Sequence, residues 1–443
     1  MYRVLRLGCA LVGGLPVGTN LGLLHLLWML VSGRLLETRG AVLPGLSAAG
    51  LEPAAVRRAW AALGQGSWTS AELLEHWRSV VEQEGRWRAH EHGGYRPEAV
   101  DVTGFWRPRL QGCPTVHYDS RAGKALPAIP IGIVARVGSA GGQRLGLPLA
   151  LVRADPEDPS PAAHERALVA AAVAAAGVGD TLVLDAGFGV RQLQAAGATA
   201  YVVREAKNVT ARRARPPAYK GRGARPKRGE LVRPLARRYR GRTIPATAPD
   251  QIETWQEGET VVRAETWDEV VLPDAAPGAP SYRIVAIWDP RWTEPLLLAS
   301  PLAVEPRALR DLYLDRWPVE QLPLAAKQLI GAGRQFVSAP ETCQRLPELA
   351  LLAGSVLSYA AATDPAVPTG FWDRTPRPTP GRLRRLLARA DFPTDFDLPE
   401  RIREKASVTD HLPKGCWGQR RRSTAVPAPA APPGQSTTSA QAA

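Results

Sequence analysis

Three acidic residues stand in settings that call for a cation. Asp101 lies in the run Ala99-Val-Asp-Val-Thr103, whose β-branched neighbours read as the middle of a strand. Asp185 closes Thr181-Leu-Val-Leu-Asp185, which reads as a buried strand ending on an acid. A carboxylate in such surroundings is costly to bury alone, and either a metal ion or an arginine would serve as its partner. The third acid, Glu320, belongs to a set with Tyr313, Arg316 and Lys327. At about 100° per residue of α-helix, those four positions fall within an arc of about 60°. One narrow stripe would then offer a carboxylate for a metal, two cations for phosphates and an aromatic hydroxyl. The same spacing also describes an ordinary salt-bridged helix face, so spacing alone leaves both readings open. Asp119, in His117-Tyr-Asp-Ser120, is a rival for the place of Asp101, because it too could lie on a core strand.

The elements that must position these residues read as an α/β core behind an all-helical start. Apolar residues at helical spacing predict helices over Leu21–Leu36, Pro53–Leu63 and Thr69–Gln83. From Glu98 onward the texture is that of strands, with Ala128–Val137 too hydrophobic to be half exposed. A helix over Pro161–Ala176, the strand ending at Asp185, a helix over Val190–Ala196 and a strand over Ala198–Val203 make a β-α-β unit. Thr260–Val271 and Tyr282–Trp288 read as strands of a β-rich insertion, and helical patterning resumes at Glu305. The expected division is a helical N-terminal domain over 1–95, a first core segment over 96–206, the insertion over 207–303 and a second core segment over 304–400. A basic, then Pro/Ala-rich and disordered tail follows over 401–443.

The chain has 443 residues, 45% of them hydrophobic, with 56 Lys plus Arg against 42 Asp plus Glu, a formal charge of +14. That apolar share excludes a wholly disordered protein, and four scattered cysteines exclude a disulfide-stapled mini-fold and suit a cytoplasmic one. Arg204 to Arg242 holds 15 of the basic residues against only Glu205 and Glu230, so nearly all the net charge sits in this one proline- and glycine-punctuated window. It is either a solvated linker or a strip that neutralises phosphates. Leu7 to Ser32 carries no formal charge, but Gly13, Gly14, Pro16 and Gly18 interrupt it. The apolar remainder, Leu21–Val31, is short of the ~20 residues of a membrane span, so it reads as a buried helix and no membrane partner is expected. His90 and His92, an i,i+2 pair in a Gly-flanked stretch, read as surface residues.

Tyr313-x2-Arg316-x3-Glu320-x6-Lys327 resembles the signature around the third acid of a large group of insertion-sequence DDE transposases, as do the flanking Trp317-Pro318, Ala326-Lys327-Gln328 and Gly331-Ala332-Gly333-Arg334. Asp101-Val-Thr103-Gly-Phe-Trp-Arg107 resembles the first-acid motif of that group. Leu184-Asp185-Ala-Gly187-Phe188, followed by Tyr201-Val-Val-Arg204, resembles the second. The likeness spans about residues 98 to 336, with a weaker echo in the N-terminal helices, which would then help bind DNA ends.

The resemblance implies an RNase H-like core with a β-rich insertion before the third acid, and Asp101, Asp185 and Glu320 as the catalytic triad holding two Mg²⁺ (or Mn²⁺) ions. It further implies cleavage at the ends of the element and joining of the freed 3′-hydroxyls to target DNA, by a homodimer acting on nucleoid DNA in a bacterial cytoplasm. Tyr313, Arg316 and Lys327 would contact transposon-end DNA, and Arg222, Arg225, Lys227 and Arg228, which also look like family text, would clamp its backbone. One departure stands out: Pro323, three residues after Glu320, removes a backbone bond inside the expected helix, and a kink there would displace Lys327. A domesticated or inactive RNase H-like DNA-binding protein or nuclease, lacking strand transfer, is the alternative expectation.

Overall fold

The computed structural model describes residues 1–219, 221, 224, 226–366, 368 and 370–403. The chain opens with helices α1 (Tyr2–Val12), α2 (Thr19–Val31), α3 (Arg34–Glu37), α4 (Val42–Ala48), α5 (Pro53–Gln65) and α6 (Ser70–Glu84). Thr69 caps α6 by accepting a hydrogen bond from the Glu72 amide at 3.2 Å. The single helix expected over Leu21–Leu36 is divided at Ser32-Gly33, where Gly33 takes a φ of 75° that only glycine adopts freely. Leu23 through Val31, His25 included, is buried on every side of α2, which makes the uncharged N-terminal stretch a core helix.

The strands are β1 (Trp87–Ala89), β2 (Arg96–Trp106), β3 (Val116–Asp119), β4 (Lys124–Ala140), β5 (Gln143–Arg153), β6 (Asp180–Leu184) and β7 (Tyr201–Arg204). Between β5 and β6 runs α7 (Pro161–Ala175), and between β6 and β7 runs α8 (Val190–Ala195). Strand β4 pairs antiparallel with β2 and β5, whereas β2, β6 and β7 lie side by side and parallel. Side chains alternate across β2 and β4. Ala99, Phe105, Ile131 and Ile133 join the core built with helices from both ends of the chain, and Val100 and Val134 join the one that holds Leu168 of α7. Both faces of this part of the sheet are therefore covered, which is why β4 is apolar from Ala125 to Val137 except at Arg136.

Beyond β7 come β8 (Ala211–Arg213), β9 (Leu231–Val232), β10 (Arg237–Tyr239), β11 (Arg242–Ile244), β12 (Gln251–Glu257), β13 (Thr260–Val271), β14 (Tyr282–Trp288) and β15 (Leu296–Ser300). β15 pairs antiparallel with β7, and β14, β13 and β8 follow in turn, so the insertion prolongs the central sheet to 13 strands. β10 and β11 form a separate hairpin whose turn, Arg240-Gly241, has positive φ at both residues, as a two-residue primed turn requires.

The chain then returns to the core through α9 (Pro306–Leu314), α10 (Pro318–Leu324), a π-helix over Ala325–Ile330, and α11 (Pro340–Thr363), α12 (Pro380–Leu387) and α13 (Glu400–Arg403). Among the described residues α11 is the one helix long and apolar enough to cross a membrane, and 89% of its apolar stretch is buried inside the protein. Trp77 of α6, fully buried, donates to Ser355 Oγ of α11 at 2.9 Å and meets the Tyr359 ring edge-on. The N-terminal helices and α11 thus share one core with β2, β4 and β5.

Candidate three-carboxylate site

Asp101 and Asp185 come together through strand register. β2 pairs with β6 from Arg96 opposite Asp180 to Ala99 opposite Val183. The same alignment carried two residues further sets Asp101 opposite Asp185, on neighbouring parallel strands about 4.8 Å apart and on the same face of the sheet. An ion network fixes that alignment. Arg136 of β4 donates to Glu98 at 2.7 Å and to Asp180 at 2.6 Å, and Arg96 donates to the other oxygen of Asp180 at 2.8 Å. Glu98 is wholly buried, so a slipped register would strand its charge.

The face of β2 that carries Ala99, Asp101, Thr103 and Phe105 lies under α10 and the π-helix. Arg316, in the turn between α9 and α10, pairs with Glu320 on α10. Burial pushes the Asp101 pKa up to about 6; Arg316 works against this, while Asp185 and Glu320 add to it. Three carboxylates and one guanidinium therefore share a single electrostatic neighbourhood. Burial opposes the charge on Arg316, yet Glu320, Tyr313 and Asp101 together hold its pKa above the ordinary value. One guanidinium nitrogen, Nη1, is buried without a hydrogen-bond partner among the described residues. Asp185 accepts from the Gly187 amide at 2.9 Å, which holds its carboxylate at the strand end.

The four-residue stripe does not lie on one regular helix. Pro318 starts α10 after a turn over Asp315–Trp317, and Pro323 sits inside it. Pro323 lacks the amide that would bond back to Val319, and the next residues widen into the π-helix. Gly331 ends that segment at φ 99°, where a Cβ would stand 2.4 Å from Leu36 Cα. The displacement expected of Lys327 brings it inward. Its Nζ donates to Thr103 Oγ1 at 2.6 Å and lies 5.1 Å from the centre of the Phe105 ring. Burial lowers its pKa to about 8, partly offset by Asp101.

Tyr313 touches this cluster only through its charge interaction with Arg316, and it also lines a cleft of about 290 Å³ with Arg204 and Trp292. Asp119 is also elsewhere: it ends β3 and accepts from the Arg121 and Ala122 amides, capping a hairpin turn, so Asp101 is the aspartate that meets Asp185. Lys227 and Arg228 are exposed, while Arg222 and Arg225 lie outside the described residues, as does nearly all of the tail expected over 401–443. Part of the basic window is neutralised locally: Arg213 pairs with Asp250, and Arg215 with Glu269. The β10–β11 hairpin keeps Arg238, Arg240 and Arg242 exposed around Tyr239.

Asp315, next to Arg316, escapes a reading of the sequence. It is 4% exposed and collects His90, His92 and Arg144. His90 and His92 are thus not free surface histidines, but only their alternation on an extended segment hinted that they share a side.

As oxygen donors, Asp101, Asp185 and Glu320 suit hard divalent cations such as Mg²⁺ or Mn²⁺. The upward push on Asp101 from burial and from two like charges is the strain a divalent cation relieves. No protein-family model matches the chain, and no curated protein matches it either.

Proposed function

We propose that this chain is a DDE transposase that cleaves the ends of an insertion sequence and joins the 3′-hydroxyls to target DNA. The observation that carries the reading is the parallel β2–β6 register, which leads towards Asp101 and Asp185, together with the electrostatic neighbourhood that these two share with Arg316 and Glu320. An RNase H-like core is supported by the strand order β5-β4-β2-β6-β7, in which hairpin-linked antiparallel strands flank a first-acid strand that runs parallel to the second-acid strand.

Asp101, Asp185 and Glu320 would hold two Mg²⁺ or Mn²⁺ ions. Bound there, such ions activate the attacking water or 3′-hydroxyl and stabilise the leaving oxygen. The chain's own side chains orient the DNA: Arg316 holds the Glu320 carboxylate, and Lys327 anchors the strand beside Thr103. The basic hairpin and Lys227 and Arg228 meet the DNA backbone farther out. The helical residues 1–95 assist end binding, and two copies bring the element's two ends together on nucleoid DNA in the cytoplasm.

A strand-transfer assay tests this reading. Wild-type protein with Mg²⁺, DNA carrying the terminal sequences of the surrounding element and a supercoiled target should yield joined products. Cleavage without joining would make the chain a nuclease, and neither product would refute the reading.

A further inference from the structure

We propose that His90, His92 and Asp315 form a second cation site, one for a transition metal of the zinc class. His90 follows β1, and His92 opens the bridge to Tyr95, so on this extended stretch both rings project to one side. There they meet Asp315, in the turn between α9 and α10, and the three donor atoms lie within 4.8 Å of one another. His90 Nδ1 is 2.8 Å and His92 Nε2 is 2.7 Å from the same carboxylate oxygen, Oδ2.

The surroundings are those of a built site. Ser139 Oγ, 2.6 Å from His90 Nε2, holds the outer side of that ring, as the second partner of a ligating histidine does. Arg144 lies 3.3 Å from Oδ1, the carboxylate oxygen that the rings do not touch. The Asp315 side chain is 4% exposed and the two rings 22% and 27%, so the carboxylate is fixed while one side of the cluster opens to water, which supplies a further ligand. Two imidazoles and one carboxylate favour zinc-like ions over Mg²⁺, whereas the three-carboxylate site has the opposite preference. Tetrahedral ligands at ~2.0–2.1 Å stand roughly 3.3 Å apart, so each ring nitrogen must draw back from Oδ2 by about half an ångström on binding. Without metal the same atoms make a hydrogen-bonded clamp. With it, the turn that carries Arg316 is bolted to the stretch after β1.

This inference does not rest on the transposase reading, because its readout is metal uptake. The full chain, stripped with a chelator and kept in excess Mg²⁺ to fill carboxylate sites, is titrated with Co²⁺ and then with Zn²⁺. One Co²⁺ per chain should bind with visible absorption bands that Zn²⁺ abolishes. A His90→Ala/His92→Ala double variant should bind more than about 100-fold more weakly, since losing even an outer partner costs about 10–100-fold. Ser139→Ala keeps all three ligands and should bind about tenfold more weakly, which gives a second arm if the double variant does not fold. No Co²⁺ uptake by wild type, or undiminished uptake by either folded variant, overturns the proposal.

Discussion

Lys327 donates to Thr103 at 2.6 Å, two residues along β2 from Asp101. A lysine expected to point outward with Tyr313 is instead drawn against the first-acid strand, half-buried and over an aromatic ring. If Lys327 meets DNA as proposed, its pKa of about 8 has a consequence there. The side chain is charged below that pH and loses its charge as pH rises through it. End-DNA affinity should therefore fall roughly tenfold between pH 7 and pH 9, the worth of one charge-assisted hydrogen bond. Lys327→Arg should remove most of this dependence. Fluorescence anisotropy across the pH range checks both, and a Lys327→Arg protein as pH-sensitive as wild type would show that another group is responsible.

The Arg136–Glu98–Asp180 network should be costly to break from one side. Arg136→Met leaves Glu98 buried without its cation and should destabilise the fold by about 3–5 kcal/mol in denaturant unfolding. Adding Glu98→Leu should recover a large part of that loss, because the stranded charge is gone. Equal stability of wild type and Arg136→Met would mean that the network does not hold the register.

Much of this core was legible in the sequence. β13 and β14 occupy Thr260–Val271 and Tyr282–Trp288, as their apolar and β-branched runs indicated, and α7, β6 and α8 fall within a residue of expectation at each end. β5 and β15 escape the reading: Leu145–Val152 and Leu296–Ala299 are apolar runs without polar residues between to separate strand from helix or loop. α1 escapes the reading because Gly13, Gly14, Pro16 and Gly18 break the apolar stretch and leave Leu21–Val31 as its only helix-length part. At the site, the three acids could be named from their local text, but their meeting could not be derived. It depends on the β2–β6 register, fixed by Arg136, a residue with no local mark. The inward turn of Lys327 depends on how the chain absorbs Pro323. The His90–Asp315 contact joins residues 225 apart, a separation that no local pattern reaches.

His25, inside α2, gives the acid stability a signature. Burial, with a smaller push from Arg58, lowers its pKa from 6.5 to about 4. The unfolded chain binds the proton first, so this residue's contribution to stability is full above pH 6.5 and is lost as pH falls towards 4, by about 3 kcal/mol at most. His25→Leu, which keeps the contact with Phe392 apolar, should flatten the fall in stability over that window. Unfolding midpoints measured from pH 4 to pH 7 check this, and parallel curves for the two proteins would contradict it.

If the chain binds DNA as proposed, the exposed arginines of the β10–β11 hairpin should contribute to its salt dependence. Replacing Arg238, Arg240 and Arg242 with Gln should lower the slope of log affinity against log salt by up to about 2.7, at about 0.9 per lost phosphate contact. An unchanged slope would make the hairpin a solvated arm.

The central claim is that Asp101, Asp185 and Glu320 work as one metal-holding triad. It is tested most directly by Mg²⁺-dependent cleavage of end DNA by wild type and by the Asp101→Asn, Asp185→Asn and Glu320→Gln variants, each first shown to be folded. The account predicts cutting at the element's ends by wild type and a loss of at least about 10³-fold in each variant, as when an essential charge-stabilising group is removed. Cleavage at the wild-type rate by any one of the three would contradict it.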